Sequence, residues 1–490
     1  MRFNSLLLLC HLAATATSSP VKNGLTIQTT SGQVHGFINQ TAPLVRQFLG
    51  IPYAEPPTGE RRFLPPVERE DRGSIKATAF APSCMQQESN SSTIYTEQVS
   101  QFLINGGQSE DCLYLNIWAP ATSSKKLPVF VYIPGGGFTS GGADSLYKIP
   151  DKWIQRTQSH IVVALNYRVN IFGFPNAKGL DNRNVGLLDQ RMAVEWTRNN
   201  IEAFGGDPSR ITLWGQSAGG ASTDLFGYAY PDDPIVTGLI CDSGSATIAG
   251  SSDYTQKNFT FIAEKVGCAG NDDAVLECMR GVPATRLRDV VSTYGNVKSM
   301  GLSFTPIPDN ITAFSNTTDR ALRGLVADIP AIFGSNANEG AGFVSLTGTQ
   351  PPEETMHALT QSIIACPSAR EVHIRELAGL TTYRYYYTGN FSNISPWDWM
   401  GAYHSSELPL LFGTHDEYRT PSTEFEYQLS YAMEALWLSF ASNPQSAPSY
   451  QNWSWPEYKA DVPSMVQFPS GDNIVGIVSG NVIDGNCTGV

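Results

Sequence analysis

The chain has 490 residues, 41% of them apolar, and carries 45 acidic against 32 basic side chains for a formal net charge of -13. The acidic balance argues against nucleic acid as a partner. Beyond the first residues no run reaches the length of a membrane helix and no internal repeat is evident, so stable membrane insertion and repeat arrays are also set aside.

In chain order, Arg2, the apolar Leu6 to Ala14 and the small residues Ala14-Thr15-Ala16 read as a signal peptide over residues 1–16. The mature chain, residues 17–490, is therefore expected to be secreted and soluble. The alternating segment Leu25 to Ile38 predicts an N-terminal hairpin. Leu127 to Ile133 reads as a buried strand running into Pro134-Gly135-Gly136-Gly137-Phe138. Glycines there let the backbone approach a substrate and aim N–H groups at its carbonyl oxygen. Ile211 to Trp214 predicts a second buried strand, followed by Gly215-Gln216-Ser217-Ala218-Gly219-Gly220, one serine between small residues, with a helix from near Ala218. That is the pattern of a nucleophile elbow, which holds a serine in strained geometry with its hydroxyl exposed. Ser217 is then the candidate nucleophile, and the N–H groups of Gly136, Gly137 and Ala218 are the candidate oxyanion donors. A solvated serine in a glycine-rich turn is the plain alternative. Strands and helices alternate from Cys112 to Phe333, which predicts an α/β fold with a mostly parallel sheet and helices on both faces.

The chain resembles the type-B carboxylesterases, the cholinesterase-like branch of the α/β-hydrolases. Phe48 to Pro66 matches that family's N-terminal block and Ser109 to Ile117 its second signature. Asn184 to Asp207 is similar to the helix before the elbow, with Leu188, Met192 and Trp196 expected to face the sheet and Gly205-Gly206 to end the helix. The family uses serine, glutamate and histidine in that order. The resemblance therefore implies Glu339, in Gly334 to Gly340 after the strand-like Ile329 to Phe333, as the carboxylate. It implies His404, heading His-Ser-Ser-Glu-Leu-Pro-Leu-Leu-Phe-Gly, as the base; the rival His415 reads as an exposed loop residue. The implied reaction is hydrolysis of a small-molecule carboxylic ester through an acyl-enzyme, with no metal or cofactor. Ser243 matches a family serine that supports the triad, or equally caps a strand end. One α/β-hydrolase domain over 17–490 is expected, because the triad residues are spread across the chain. Tyr383, Tyr385 and Tyr387 alternate as in a strand. Phe425, Leu429, Met433, Leu436, Trp437 and Phe440 form a helical core stripe, and Asn443 to Ser449 reads as a surface loop.

Of eight cysteines, Cys10 lies in the leader, so at least one of the remaining seven is unpaired within the chain. The resemblance pairs Cys84 with Cys112 and Cys268 with Cys278. Cys241 reads as a buried thiol, and a bridge between Cys366 and Cys487 is left open. Nine sequons, at Asn39, Asn90, Asn258, Asn310, Asn316, Asn390, Asn393, Asn452 and Asn486, fit a eukaryotic secretory route.

Departures from the cholinesterases bear on substrate. Gln216 replaces a glutamate, removing a negative charge near a bound cation, and Phe102 lies near the position of a choline-binding tryptophan. Both weigh against acetylcholine. Ala246 to Gly250 is less bulky than the cholinesterase acyl lining, which predicts a roomier acyl side, and the connection from Glu339 to His404 is short, which predicts a more open mouth. An interfacial triacylglycerol lipase, with Ile94, Tyr95, Phe102, Leu103 and Ile104 on a mobile lid, is the alternative enzyme. A non-catalytic binding module is a third reading. Oligomeric state is not legible.

Overall fold

The computed structural model describes residues 24–490 except 71–72, 89, 122–125, 249–252, 298–300, 349, 486 and 488–490. The leader, Asn486 and part of the expected acyl lining lie outside the described residues. An eleven-stranded sheet organises the chain. Its strands are β1 (Phe37–Ile38), β2 (Val45–Pro52), β3 (Tyr114–Pro120), β4 (Leu127–Ile133), β5 (Ile161–Leu165) and β6 (Gly206–Gln216). They continue with β7 (Gly238–Asp242), β8 (Ala331–Asn336), β9 (Thr382–Tyr387), β10 (Met465–Phe468) and β11 (Gly476–Val478). The spatial order is β11-β10-β9-β8-β7-β6-β4-β5-β3-β2-β1. From β10 to β5 every pairing is parallel, and the flanking strands are antiparallel. The expected hairpin is present as Thr26–Thr29 paired with Gly32–His35, in a separate small sheet joined by Ser74–Lys76.

The central strands are apolar on both faces because both are covered. Along β4, Val129, Val131 and Ile133 pack toward α1 (Val185–Phe204) and α2 (Ala218–Ala229), while α3 (Cys366–Leu377) covers β8 and β9. Phe130 and Tyr132 pack on the opposite side toward α4 (Glu424–Ser442). The α4 stripe is buried at Leu429, Met433, Leu436, Trp437 and Phe440, while Phe425 is half-buried. Thr423 starts this helix with a reciprocal capping box to Glu426, satisfying a first-turn N–H that has no partner inside the helix.

In α1 the buried face differs from the expected one. Leu187, Gln190, Val194, Thr197 and Ile201 are buried, whereas Leu188 and Met192 are half-buried and only Trp196 of the expected stripe is buried. The inward row contains polar residues whose bonds are made locally, Gln190 to Ser222 Oγ at 3.0 Å and Thr197 to the Ala193 carbonyl at 2.8 Å. Apolar spacing alone therefore rotates the helix by about one position. Gly205, at φ 101°, ends it.

Cys84 is bonded to Cys112, Cys268 to Cys278 and Cys366 to Cys487, the last tying the C-terminal segment to the start of α3. Cys241 is a buried free thiol in β7.

His415 is not an exposed loop residue. It is 3% exposed, bonded through Nδ1 to Ser422 Oγ at 2.6 Å and packed on Tyr427. Burial pushes its pKa down to about 4. Asn393 is held in the same cluster, 3% exposed, with Nδ2 donating to the His415 carbonyl and to Ser422 Oγ at 2.9 Å each. N-glycosylation requires that nitrogen and an open path for a large sugar, so the sequon reading at Asn393 conflicts with its packing. Peptide mapping of the secreted protein is expected to find Asn393 unmodified. Occupancy there would mean this cluster packs differently.

Candidate active site

The chain reverses its direction of growth across the sheet at β4, since β5 lies on one side of it and β6 on the other. In a parallel sheet such a switch opens a crevice at the carboxyl ends of the strands. The glycine loop after β4 and the turn after β6 face each other there. A Cβ on Gly135 would sit 2.5 Å from the Gln216 carbonyl and 2.8 Å from Ser217 Cβ, so only glycine permits this approach. The turn itself is tight for the same reason, because a Cβ on Gly219 would come within 2.0 Å of the Ile133 carbonyl. Ser217 stands between β6 and α2 at φ 59° and ψ -125°, an uncommon conformation for a residue with a side chain. Its N–H donates to the Asp242 carbonyl at 2.8 Å and its carbonyl accepts from Ala221.

The Gly136 carbonyl turns into the loop and accepts from the N–H groups of Thr139 and Ser140. Among the described residues, no hydrogen bond within the protein takes up the N–H of Gly136 or Gly137. With Ala218, the first residue of α2, they are donors near Ser217.

The carboxyl ends of β7, β8 and β9 supply the remaining groups. Glu339 is fully buried just after β8, and His404, 5% exposed, follows β9. Their loops are joined by a bridge between Asn338 and Tyr403 and by the Asn338 N–H donating to the Ala402 carbonyl. This brings His404 Nδ1 within 2.5 Å of Glu339 Oε2. The other oxygen, Glu339 Oε1, accepts from Ser243 Oγ at 2.6 Å and from the Asn336 N–H at 2.7 Å. With both lone-pair directions of Oε1 engaged by donors, the carboxylate is fixed with Oε2 toward the imidazole. Gln216, 2% exposed, places Nε2 at 3.1 Å from His404 Nε2. An amide nitrogen can only donate, so the imidazole accepts there and carries its proton on Nδ1, toward Glu339. Ser243 is thus a partner of Glu339, and Gln216 faces the candidate base.

Several contributors are not evident from the motifs. Asn336 spans two acids, donating from its backbone to Glu339 and from Nδ2 to Glu407. Tyr95 OH donates to the His404 carbonyl at 2.6 Å, and the Phe343 ring lies 4.7 Å from the imidazole. Glu407 follows His404 by three residues in the histidine block, and that spacing on a turn is the signal that could have drawn attention to it. Among the described residues, no group of three or more His, Cys, Asp or Glu is arranged to hold a metal.

Burial raises the pKa of the acids behind Glu339 and His404. Asp242 is pushed up to about 7, though Trp214 Nε1 and Tyr385 OH donate to it. Glu407 is pushed well above the usual carboxylate range. Across the sheet, Asp224 and Glu371 are raised by the same cause. Each therefore keeps its proton to a higher pH in the fold than in the unfolded chain, where it ionises above about pH 4. Their contribution is complete below that value and is lost as pH rises toward the folded pKa. The buried His160 and His415, lowered to about 3 and about 4, act oppositely and only below about pH 6.5. The thermal midpoint is therefore expected to fall between about pH 6.5 and 8, and Glu407→Gln to flatten that fall. Calorimetry at the two pH values checks it; a midpoint that rises over this window contradicts the assignment.

The carboxylesterase family model matches residues 23–357 and 346–473. The chain is 55% identical to chlorogenic acid esterase of Aspergillus niger, over 98% of both chains. It is 39% identical to secreted lipase 5 of Gibberella zeae, again over 98% of both. It is 30% identical to acetylcholinesterase of Bungarus fasciatus, over 94% of this chain and 85% of that one. The chain belongs to the carboxylesterase family and is a carboxylic-ester hydrolase built on the α/β-hydrolase fold.

Proposed function

We infer that the protein is a secreted serine carboxylesterase in which Ser217, His404 and Glu339 act as one unit. The observation that carries this is the unbroken line of hydrogen bonds from Ser243 and Asn336 through Glu339 to His404, beside a serine at a strained strand-to-helix turn. Gln216 gives up His404 Nε2, whose lone pair it occupies in the resting site, and that nitrogen then takes the Ser217 proton as Oγ attacks the ester carbonyl. The N–H groups of Gly136, Gly137 and Ala218 hold the oxyanion. His404 then gives the proton to the departing alkoxide, leaving an acyl-enzyme, and water repeats the sequence to release the acid. Glu339 orients the imidazole and stabilises its protonated form. Residues 1–16 serve as a cleaved leader and 17–490 act as one catalytic unit; the three disulfides support an oxidising destination.

The substrate class follows from the 55% identical relative: a hydroxycinnamoyl ester such as chlorogenic acid, the ester of caffeic and quinic acids. Hydrolysis of chlorogenic acid and methyl ferulate by the purified protein tests this, with p-nitrophenyl esters from acetyl to dodecanoyl as the comparison. Turnover of simple acyl esters alone would remove the hydroxycinnamoyl assignment.

A lipase reading is favoured by the relative named as one. A lid would need the Cys84–Cys112 segment to swing free, yet Ile94 and Phe102 are already buried and only Leu103 of its large apolar residues is well exposed. The segment is also pinned, by Ser145 Oγ to the Phe102 carbonyl at 3.0 Å and by the Asn105 and Gly106 N–H groups to Asp144. Rates on an emulsified triglyceride are expected to saturate without a jump at the solubility limit; a jump would restore the lipase.

A further inference from the structure

A cavity of about 440 Å³ opens between the segment carrying Ser92, Glu97 and Gln98, the chain beyond Glu339 at Leu346, Gly348 and Gln350, and the turn of Trp397 and Trp399. None of these residues takes part in the chemistry above. The segments that form the cavity nevertheless also reach His404, through residues next to its lining. Tyr95, in the first segment, bonds the His404 carbonyl, and Phe343, three residues before Leu346, packs on the imidazole. In the esterase reading His404 hands its proton to the departing alkoxide, so of the two halves of an ester the alcohol portion is the one assigned to a cavity whose segments reach His404.

The walls are held in place before any ligand arrives. Thr93 and Thr96 cap each other at the start of the Ile94 turn, and the Leu346 N–H donates to the Ser92 carbonyl at 2.8 Å. Asn338 Nδ2 donates to the carbonyls of Trp399 and Met400 at 2.9 Å each, fixing the tryptophan turn to the loop that carries Glu339.

Its chemistry selects a class of ligand. The indoles of Trp397 and Trp399 stack 5.5 Å apart at 25°, giving a flat aromatic wall. Ser92, Glu97, Gln98 and Gln350 stand around it, and among the described residues no lysine, arginine or histidine lines the cavity. An anionic ligand would meet the Glu97 carboxylate with no countercharge. A quaternary ammonium is held best by several rings set as a cage, whereas these two rings are nearly parallel. The two carboxamides each offer a donor and an acceptor, both of which a hydroxyl uses, whereas a quaternary ammonium, with no N–H and no lone pair, uses neither. A flat ring face beside donor–acceptor side chains suits a neutral ring that carries axial C–H on one face and hydroxyls on its rim.

We propose that this cavity binds a neutral sugar ring, and that the enzyme's preferred substrates are esters whose alcohol portion is a pyranoside. The assignment rests on the esterase reading for the direction of the leaving group and on the cavity itself for the chemistry. It ranks an acyl glucoside above the quinate ester, whose alcohol portion carries a carboxylate.

The test compares methyl ferulate, methyl 6-O-feruloyl glucopyranoside and chlorogenic acid across wild type, Trp397→Ala and Gln350→Ala. Gln350, on an exposed loop, reports on the cavity if the tryptophan variant fails to fold. The expected result is a loss of about tenfold, the equivalent of ~1.4 kcal/mol, in kcat/KM for the glucoside with Trp397→Ala, and a smaller loss with Gln350→Ala. Methyl ferulate should stay within about twofold. Equal losses on both esters, or none on either, overturn the proposal. A gain of inhibition by choline over methyl glucoside in the wild type also overturns it, in favour of a cation site. A parallel titration of Ser217→Ala with methyl glucopyranoside, read by tryptophan fluorescence, does not depend on turnover. Saturable quenching lost in Trp397→Ala supports the site, and an unchanged spectrum removes it, whether or not methyl ferulate is hydrolysed.

Discussion

Ser217→Ala is expected to lower kcat for ester hydrolysis by a factor on the order of 10⁶, while the thermal midpoint stays within a degree or two of wild type. The argument has two parts. Removing Oγ removes the proposed nucleophile, the atom that would form the acyl-enzyme, and what remains is water attack assisted by the proposed oxyanion donors. Stability should be spared because the backbone bonds of the turn, Ser217 N–H to the Asp242 carbonyl and Ala221 N–H to the Ser217 carbonyl, do not involve the hydroxyl. Stopped-assay rates on methyl ferulate with enzyme in large excess, together with a melting curve, measure both halves. A variant that retains a hundredth of the wild-type rate would show that the serine is not the nucleophile.

Glu339→Gln is expected to lose about 10⁴ in kcat, although it changes a single oxygen into an amide nitrogen. Glu339 Oε1 accepts two hydrogen bonds, from Ser243 Oγ and the Asn336 N–H, so the glutamine must keep its carbonyl oxygen at that position. Its NH2 group then faces His404 Nδ1 at the place of Oε2. An NH2 can only donate, which forces Nδ1 to accept and moves the imidazole proton to Nε2, the atom that has to receive the serine proton. The enzyme would hold its base in the unreactive tautomer. Ser243→Ala provides the control: it removes one donor to Oε1 and leaves the Asn336 N–H, so about a tenfold loss is expected. If Glu339→Gln and Ser243→Ala lose rate equally, the carboxylate acts only as a spacer and the tautomer argument is wrong.

Much of the site was legible in the sequence because its parts are local. A glycine loop after one apolar strand and a serine between glycines after another are short motifs with a steric reason, and the crowding around Gly135 and Gly219 is that reason made visible. The strands themselves were legible as continuous apolar runs, since a parallel sheet covered on both faces asks for nothing polar at those positions. The α1 stripe was misjudged because Gln190 and Thr197 turn inward once their polar atoms are satisfied by neighbours, one of them, Ser222, 32 residues away. His415 was misjudged for a related reason, and the burial of Asn393 was not legible either. Each is polar and flanked by loop residues, and only the packing of Ser422 and Tyr427 against them shows that they are buried.

The sequence by itself determined the elements and the kinds of group available: apolar strands, a strained serine turn, glycines free to donate backbone N–H, and an acidic chain with paired cysteines. Only the tertiary structure decided how those groups act on one another. Which oxygen of Glu339 faces His404, that Gln216 donates to the imidazole, and that burial raises the pKa of Asp242 and Glu407 all depend on distances between residues far apart in the chain. Hydrogen-bond direction and desolvation are properties of that three-dimensional neighbourhood, fixed when the sheet aligns the ends of β4 and β6 through β9, and no local pattern of residues encodes them.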